Sequence, residues 1–361
     1  MRISIVDTCY PAFLASHYAA NPHLAGQQYD VQWRSLMDQF FGTSDSYSHH
    51  LSAHGHPAHE FIVNCRPLQE RWADEHRLSL PTPRFRGDRR RREAILLAQV
   101  KEFRPDVCYV QNLEILGNST IAELRRLGIM LVGQLSTEPP PLRRLRLFDL
   151  IVTPVPPLAE KLAHAHIRTD FLPLAFDVRA AERAGPRPSQ PPWGAVFVGS
   201  LKRYRRWASN TTVARAAERT HIDFWGYGER QWSRRSSVRR SYHGNAWGLD
   251  MLRVLRDARI GINRHGDFGG DYASNMRLYE ATGMGTLLLT DAKVNLGSLF
   301  EVGREAVSYA NEDELVGAID HYLTAEDERE AIAVAGRART FTDHSYDRRM
   351  GQLAALIAGA R

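Results

Sequence analysis

Short apolar runs alternate with amphipathic stretches along this 361-residue chain, and the alternation starts twice. Residues 3–6, 60–63, 107–110, 130–135, 150–153 and 169–172 read as strands. Between them the helical period predicts helices near 31–41, 44–54, 92–103, 120–127 and 157–165. Strand after helix after strand argues a parallel, doubly wound sheet. Residues 178–192, VRAAERAGPRPSQPP, are rich in Pro, Arg and Ala and read as a linker. The pattern then begins again with strands at 195–198, 223–225, 260–263, 286–290 and 306–309, and helices at 249–257, 312–323, 327–340 and 346–358. The expected fold is α/β with two Rossmann-like halves.

Composition narrows the class. A hydrophobic fraction of 43% and a charged fraction of 24% are those of a globular protein. No apolar run approaches the roughly 18–20 residues of a membrane span. The first strand follows Arg2 directly, without the layout of a signal peptide, so a cytoplasmic protein is expected. Cys9, Cys65 and Cys108 are too scattered for a disulfide framework or a zinc motif. The formal charge of +6 rests mainly on arginine, gathered at 84–92, 143–146, 203–206 and 230–240. The run Arg89–Arg92 reads as a solvated helix start, as a contact for an anionic membrane surface, or as a nucleic-acid contact. The last is disfavoured because no aromatic interleaving or nucleic-acid module accompanies it.

Residues 269–291, GGDYASNMRLYEATGMGTLLLTD, read as loop, helix, glycine turn and buried strand. Ser274 and Asn275 suit a helix start, where the N–H groups of Asn275 and Met276 would face an anion. Glu280 would accept hydrogen bonds from a ribose diol, and Gly283 and Gly285 would allow a left-handed turn into the strand. The plainer reading is a surface helix with an ordinary cap at each end.

The residues Asn275, Arg277, Tyr279, Glu280 and Ala281 occupy a pattern N-x-R-x-(F/Y)-E-A which, with Gly283 following, resembles the signature of CgeB-like GT-B glycosyltransferases. The resemblance covers most of the chain, most strongly 195–357. It implies two Rossmann-like domains with a cleft between them, divided at 1–180 for the acceptor and 181–345 for the donor, and a final helix at 346–361 returning to the first domain. It implies transfer of a hexosyl unit from a nucleoside diphosphate sugar to a hydroxyl on a glycan, a lipid-linked sugar, a small molecule or a protein, with no cofactor or metal. In the E-x7-E form of related retaining enzymes, Glu280 takes the second, ribose-binding place. The first place falls on Tyr272, which breaks the motif, beside Asp271.

Other segments are similar to parts of that fold. The loop FFGTSDS resembles the glycine loop facing the donor diphosphate, which places Gly42, Thr43 and Ser44 there. Ser44 or Asp45 is equally a plain N-cap. In AVFVGSLKRYRRW the resemblance puts Gly199 and Arg205 on the diphosphate; an exposed basic turn is the alternative. FWGYG and YHGNAW resemble base-holding loops, bringing in Trp225, Gly226 and Asn245, although large aromatics at strand ends also serve as core. A base for an inverting reaction is sought at Asp45 or Glu138. The histidines 49, 50, 54, 56 and 59 lack an H-E-x-x-H pattern, which disfavours a metal site. A nucleotide-sugar binding protein without turnover, or a nucleotide-sugar epimerase, are the competing functions.

Overall fold

The computed structural model describes residues 1–81, 87–202 and 209–361. The chain divides into two compact units, Met1–Leu172 with Arg349–Arg361, and Pro173–Arg348.

The first unit is built on six parallel strands: β1 Ile3–Asp7, β2 Ala58–Ile62, β3 Val107–Val110, β4 Met130–Gln134, β5 Leu150–Thr153 and β6 Thr169–Phe171, in the order β2-β1-β3-β4-β5-β6. The inner strands are buried on both faces, which is why they read as continuous apolar runs. The second unit repeats the plan with β7 Trp193–Val198, β8 Ile222–Trp225, β9 Ala258–Asn263, β10 Leu287–Asp291 and β11 Val307–Tyr309, ordered β11-β10-β9-β7-β8 and again parallel. Ile260, Ile262, Leu287 and Leu289 are at most 1% exposed and centre its core.

In each sheet the chain first adds a strand on one side and then crosses to the other. The reversal falls between β1 and β3 in the first sheet and between β7 and β9 in the second. Open parallel sheets bind ligands outside the carboxyl ends of their strands at this point.

Several expectations are corrected. The expected linker is half helix: Val178–Ala184 buries Ala180, Ala181 and Ala184, starts on Asp177, whose carboxylate accepts from the Arg179 N–H at 3.0 Å, and ends at Gly185 with φ +87°. It belongs to the second unit, so the division falls at Leu172/Pro173 rather than at 180/181. Before the glycine loop the stretch 8–41 holds two helices, Pro11–Ala20 and Tyr29–Met37, where one near 31–41 was expected, and Arg66–Glu75 is a further helix. The run Arg89–Arg92 lies inside the helix Gly87–Phe103 and is tied to its own unit: Arg89 pairs with Glu93 at 2.9 Å, Arg91 donates to the Pro81 carbonyl and Arg92 to that of Ile115. Among the described residues, no helix is long and apolar enough to cross a membrane.

Candidate functional site

At the carboxyl edge of the second sheet, the loops after β7 and β8 lie against each other. Gly199 donates its N–H to the Trp225 carbonyl at 3.0 Å. Gly226 sits at φ +130°, and a Cβ there would fall 1.8 Å from the Gly199 carbonyl oxygen. Only glycine meets both demands. Gly226 also donates to the Gly244 carbonyl, and its own carbonyl accepts from the Tyr242 hydroxyl at 2.7 Å, which draws the loop carrying Asn245 to the same edge. Asn245 is exposed there.

Trp225 is 7% exposed, stacked on His243 with ring centroids 4.5 Å apart and edge-on to Trp193 at 5.0 Å, so its ring is part of the packing around β8. Tyr227 and Trp247, both half-buried, form a separate stack at 5.9 Å with the Lys202 ammonium over Tyr227. Arg205 lies outside the described residues.

The helix expected from Ser274 or Asn275 begins at Arg277 and ends at Gly283. The residues before it are held elsewhere: the Asn295 amide accepts from the Ala273 N–H at 2.6 Å and donates to its carbonyl at 3.1 Å. The Asn275 amide turns to the end of β9, donating to Asn263 Oδ1 at 2.8 Å and to the Arg264 carbonyl at 3.0 Å. Asn275 therefore braces the strand edge instead of capping a helix, and its own Oδ1 is buried with no partner. Met276 accepts the first helical bonds, from the N–H groups of Tyr279 and Glu280. Gly285, at φ +76°, makes the turn into β10, while Gly283 is helical and small because Phe176 leaves no room for a Cβ, the nearest ring atom lying 2.5 Å away. Arg277 and Glu280 form an ion pair at 2.7 Å.

The same edge carries a pair not anticipated from the sequence. His265, 3% exposed, donates its backbone N–H to Asp291 Oδ1 at 2.9 Å, and its ring Nδ1 lies 2.7 Å from the same oxygen. Burial pushes the Asp291 carboxyl up, but the hydrogen bonds and charge of His265, with Lys293, hold it below its ordinary value. The signal in the sequence is weak: a histidine two residues past one strand, and an aspartate ending the next.

At the β1/β3 reversal of the first unit, three side chains meet. The Thr43 hydroxyl lies 3.4 Å from Asp7 Oδ2. The Gln111 amide faces both, its nitrogen 3.3 and 3.2 Å from the Asp7 oxygens and its oxygen 3.0 Å from the Thr43 hydroxyl. Burial raises the Asp7 carboxyl to about 6, against the pull of the Thr8 N–H and the Thr43 hydroxyl. A partly exposed carboxyl of this kind at a strand's carboxyl end is an acid–base candidate that the sequence reading missed.

The loop delivering Thr43 is strained, with Phe40, Gly42 and Ser44 at φ +49°, +63° and +47°. Two of these are not glycine, and such conformations gather at working sites. Ser44 is not a cap: its hydroxyl donates inward to the Met37 carbonyl at 2.5 Å. Asp45 takes the N-cap position of the helix Ser46–Ala53 without a side-chain cap bond, and Glu138 is exposed after β4. Among the described residues, no three His, Cys, Asp or Glu side chains are grouped as a metal site.

Two Rossmann-like units in this order are the GT-B fold. Residues 205–355 match a family model described as glycosyl transferase-like. No curated protein matches the chain in sequence. Among solved structures it is similar to a glycosyltransferase from Rickettsia africae, at 10% identity and TM-score 0.62 over 99% of this chain and 98% of that one. It is also similar to Anabaena Alr3699/HepE in complex with UDP-glucose, at 13% identity and TM-score 0.58 over 99% and 100%. A putative UDP-N-acetylglucosamine 2-epimerase from Listeria monocytogenes is similar at 11% identity and TM-score 0.54 over 99% and 96%. At such identities these likenesses establish the fold, which serves more than one chemistry.

Proposed function

We propose that the chain is a glycosyltransferase that moves a sugar from a nucleoside diphosphate sugar to an acceptor hydroxyl, the second unit taking the donor and the first the acceptor. One observation carries this reading: the glycosyl transferase-like match over 205–355 covers most of the second unit, in which the loops of Gly199 and Gly226 pack together and Asn275 braces the end of β9. In this reading the glycine backbones let the diphosphate approach, Asn275 and Met276 line its path, and Glu280, oriented by Arg277, accepts from the ribose diol. Gly42, Thr43 and Ser44, in the glycine loop of the first unit, are donor contacts in this reading. Arg205 neutralises the charge that grows on the departing diphosphate.

Where transfer inverts, a base must take the acceptor proton. Asp7 is favoured over Asp45 and Glu138 because it is held near neutrality at the reversal of its sheet. The finer reading is hexosyl transfer without a bound metal ion, so a chelator should leave turnover unchanged.

The test is donor turnover across UDP-, GDP-, dTDP- and ADP-sugars, UDP-glucose first because the Anabaena neighbour was crystallised with it. Nucleotide release with a glycosylated product is expected. Binding without release would replace transfer by sensing, and an altered sugar still joined to its nucleotide would replace it by epimerisation.

A further inference from the structure

The carboxyl end of β2 opens on a small cavity of about 130 Å³, lined from the helices Arg66–Glu75 and Gly87–Phe103. Its charged lining is Arg66, Arg91, Arg92 and Glu70. Glu70 is one carboxylate set between two guanidiniums: it accepts from Arg66 Nε at 2.9 Å and lies 3.7 Å from Arg91. Arg92 brings a third guanidinium to the wall and donates to the Ile115 carbonyl. Counting these pairings, the lining still carries more positive than negative charge, which favours an anion.

Two of these cations can still donate. Among the described residues Arg66 is bound through Nε only, and its side chain is 74% exposed, so its terminal nitrogens are open to a ligand. Arg91, 22% exposed, gives one terminal nitrogen to the Pro81 carbonyl at 3.1 Å, while the other faces Glu70 beyond hydrogen-bond reach.

The cavity lies close to Asp7. Asn64, in its wall, clasps the loop after β1, accepting from the Cys9 N–H at 3.0 Å and donating to the Cys9 carbonyl at 2.7 Å. Asp7 is in register with Ile62, so Asn64 stands one strand across and two residues along from Asp7, about 8 Å by sheet geometry. A sugar with one hydroxyl at Asp7 and an anionic substituent across its ring spans that gap.

Size and charge define the substituent. The volume is below the ~300–1,000 Å³ of pockets that enclose a whole small molecule, so the cavity takes a group rather than a molecule. A phosphoryl group carries about −1.5 to −2 charges near pH 7 and three acceptor oxygens, enough for several guanidinium forks at once, whereas a carboxylate has one charge and two oxygens. We propose that the acceptor is phosphorylated and that this cavity holds its phosphoryl group, with Arg66 and Arg91 donating to the oxygens. The proposal rests on the reading of the first unit as the acceptor's.

The experiment is a calorimetric titration of the full chain with glucose 6-phosphate, inorganic phosphate, glucose and glucuronate, with and without saturating UDP. Both phosphates should bind in the presence of UDP, glucose should not, and glucuronate should bind at least fivefold more weakly than glucose 6-phosphate. Arg66→Glu should weaken glucose 6-phosphate by about tenfold or more, and Arg71→Glu, further along the same helix, by less than threefold. Glu70→Gln should tighten it by about fivefold, a gain that a merely structural role for these residues would not produce. The proposal is overturned if neither phosphate binds, if glucuronate binds as tightly as glucose 6-phosphate, if Arg66→Glu binds as the parent does, or if Glu70→Gln brings no gain. Should Arg66→Glu fail to fold, Glu70→Gln decides alone. Vesicles of phosphatidylcholine with and without phosphatidic acid tell a lipid-borne phosphate from a soluble one: retention on phosphatidic acid that Arg66→Glu abolishes assigns the group to a lipid acceptor, and binding of glucose 6-phosphate without retention assigns it to a soluble one. Phosphate binding that depends on Arg66 without any donor turnover would overturn the transferase reading and leave the cavity standing; turnover with phosphate binding indifferent to Arg66 would overturn the cavity and leave that reading intact.

Discussion

Arg277 and Glu280 are joined at 2.7 Å, three residues apart on one short helix and each 13% exposed. The pairing holds Glu280 Oε2 on the guanidinium, and in the proposed function the carboxylate also serves the ribose. Glu280→Ala should therefore weaken nucleotide binding by ten- to a hundredfold, the ~1.5–3 kcal/mol of a hydrogen bond to a charged group. It should also lower stability, because the Arg277 guanidinium loses its partner in a poorly hydrated place. Calorimetric titration and a melting curve check both, and unchanged affinity would remove Glu280 from the site.

Gly226→Ala should be far more damaging than its size suggests. Its Cβ would press on the Gly199 carbonyl, and the φ of +130° is one that alanine avoids. A destabilisation of about 1–3 kcal/mol is expected from the backbone strain alone, with nucleotide affinity falling as the two loops part. Gly303→Ala is the control: it also has positive φ, at +88°, but no atom lies within 4 Å of the added Cβ. It should lose some stability and keep nucleotide affinity. Equal affinity losses in both would mean that the contact with Gly199 is unimportant.

Asp7→Asn should cut turnover by about a hundredfold or more if Asp7 removes the acceptor proton, with little effect on donor affinity. A base of this kind acts when deprotonated. The parent's kcat/KM should therefore fall as pH drops below about 6, and that limb should vanish in the variant. Retention of both the rate and the acidic limb would return attention to Asp45 and Glu138.

Glu60 makes stability depend on pH. It is fully buried on β2, accepting from the Ser48 N–H at 2.7 Å and from the Ser48 hydroxyl, and burial raises it from 4.5 to about 8. The folded chain thus holds a proton that the unfolded chain releases near 4.5. This contribution is complete below that value, declines as pH rises from about 4.5 to 8, and is lost above it. Glu60→Gln, which imitates the protonated side chain, should melt at a higher temperature than the parent at pH 8 and show a flatter profile between pH 5 and 8. Identical profiles would mean that Glu60 carries no such linkage.

The sequence by itself determined the two parallel sheets. A strand covered on both faces tends to be apolar along its length whatever lies beside it, and β3 and β5 show this. It also placed the glycine turn at Gly285, since positive φ is a local demand. Tertiary structure alone decided where side chains with several possible partners turn. Asn275 is a good cap by type, yet its amide finds Asn263 and Arg264 on another strand. Trp225 suits a stacking platform, but His243 covers its ring. Asp7, Thr43 and Gln111 are 36 and 68 residues apart along the chain at their Thr43 contacts and meet only because parallel crossovers return each strand to one edge. Local patterns record what a residue must avoid; which neighbour it finally meets depends on chain closure across tens of residues, and no local pattern encodes that distance.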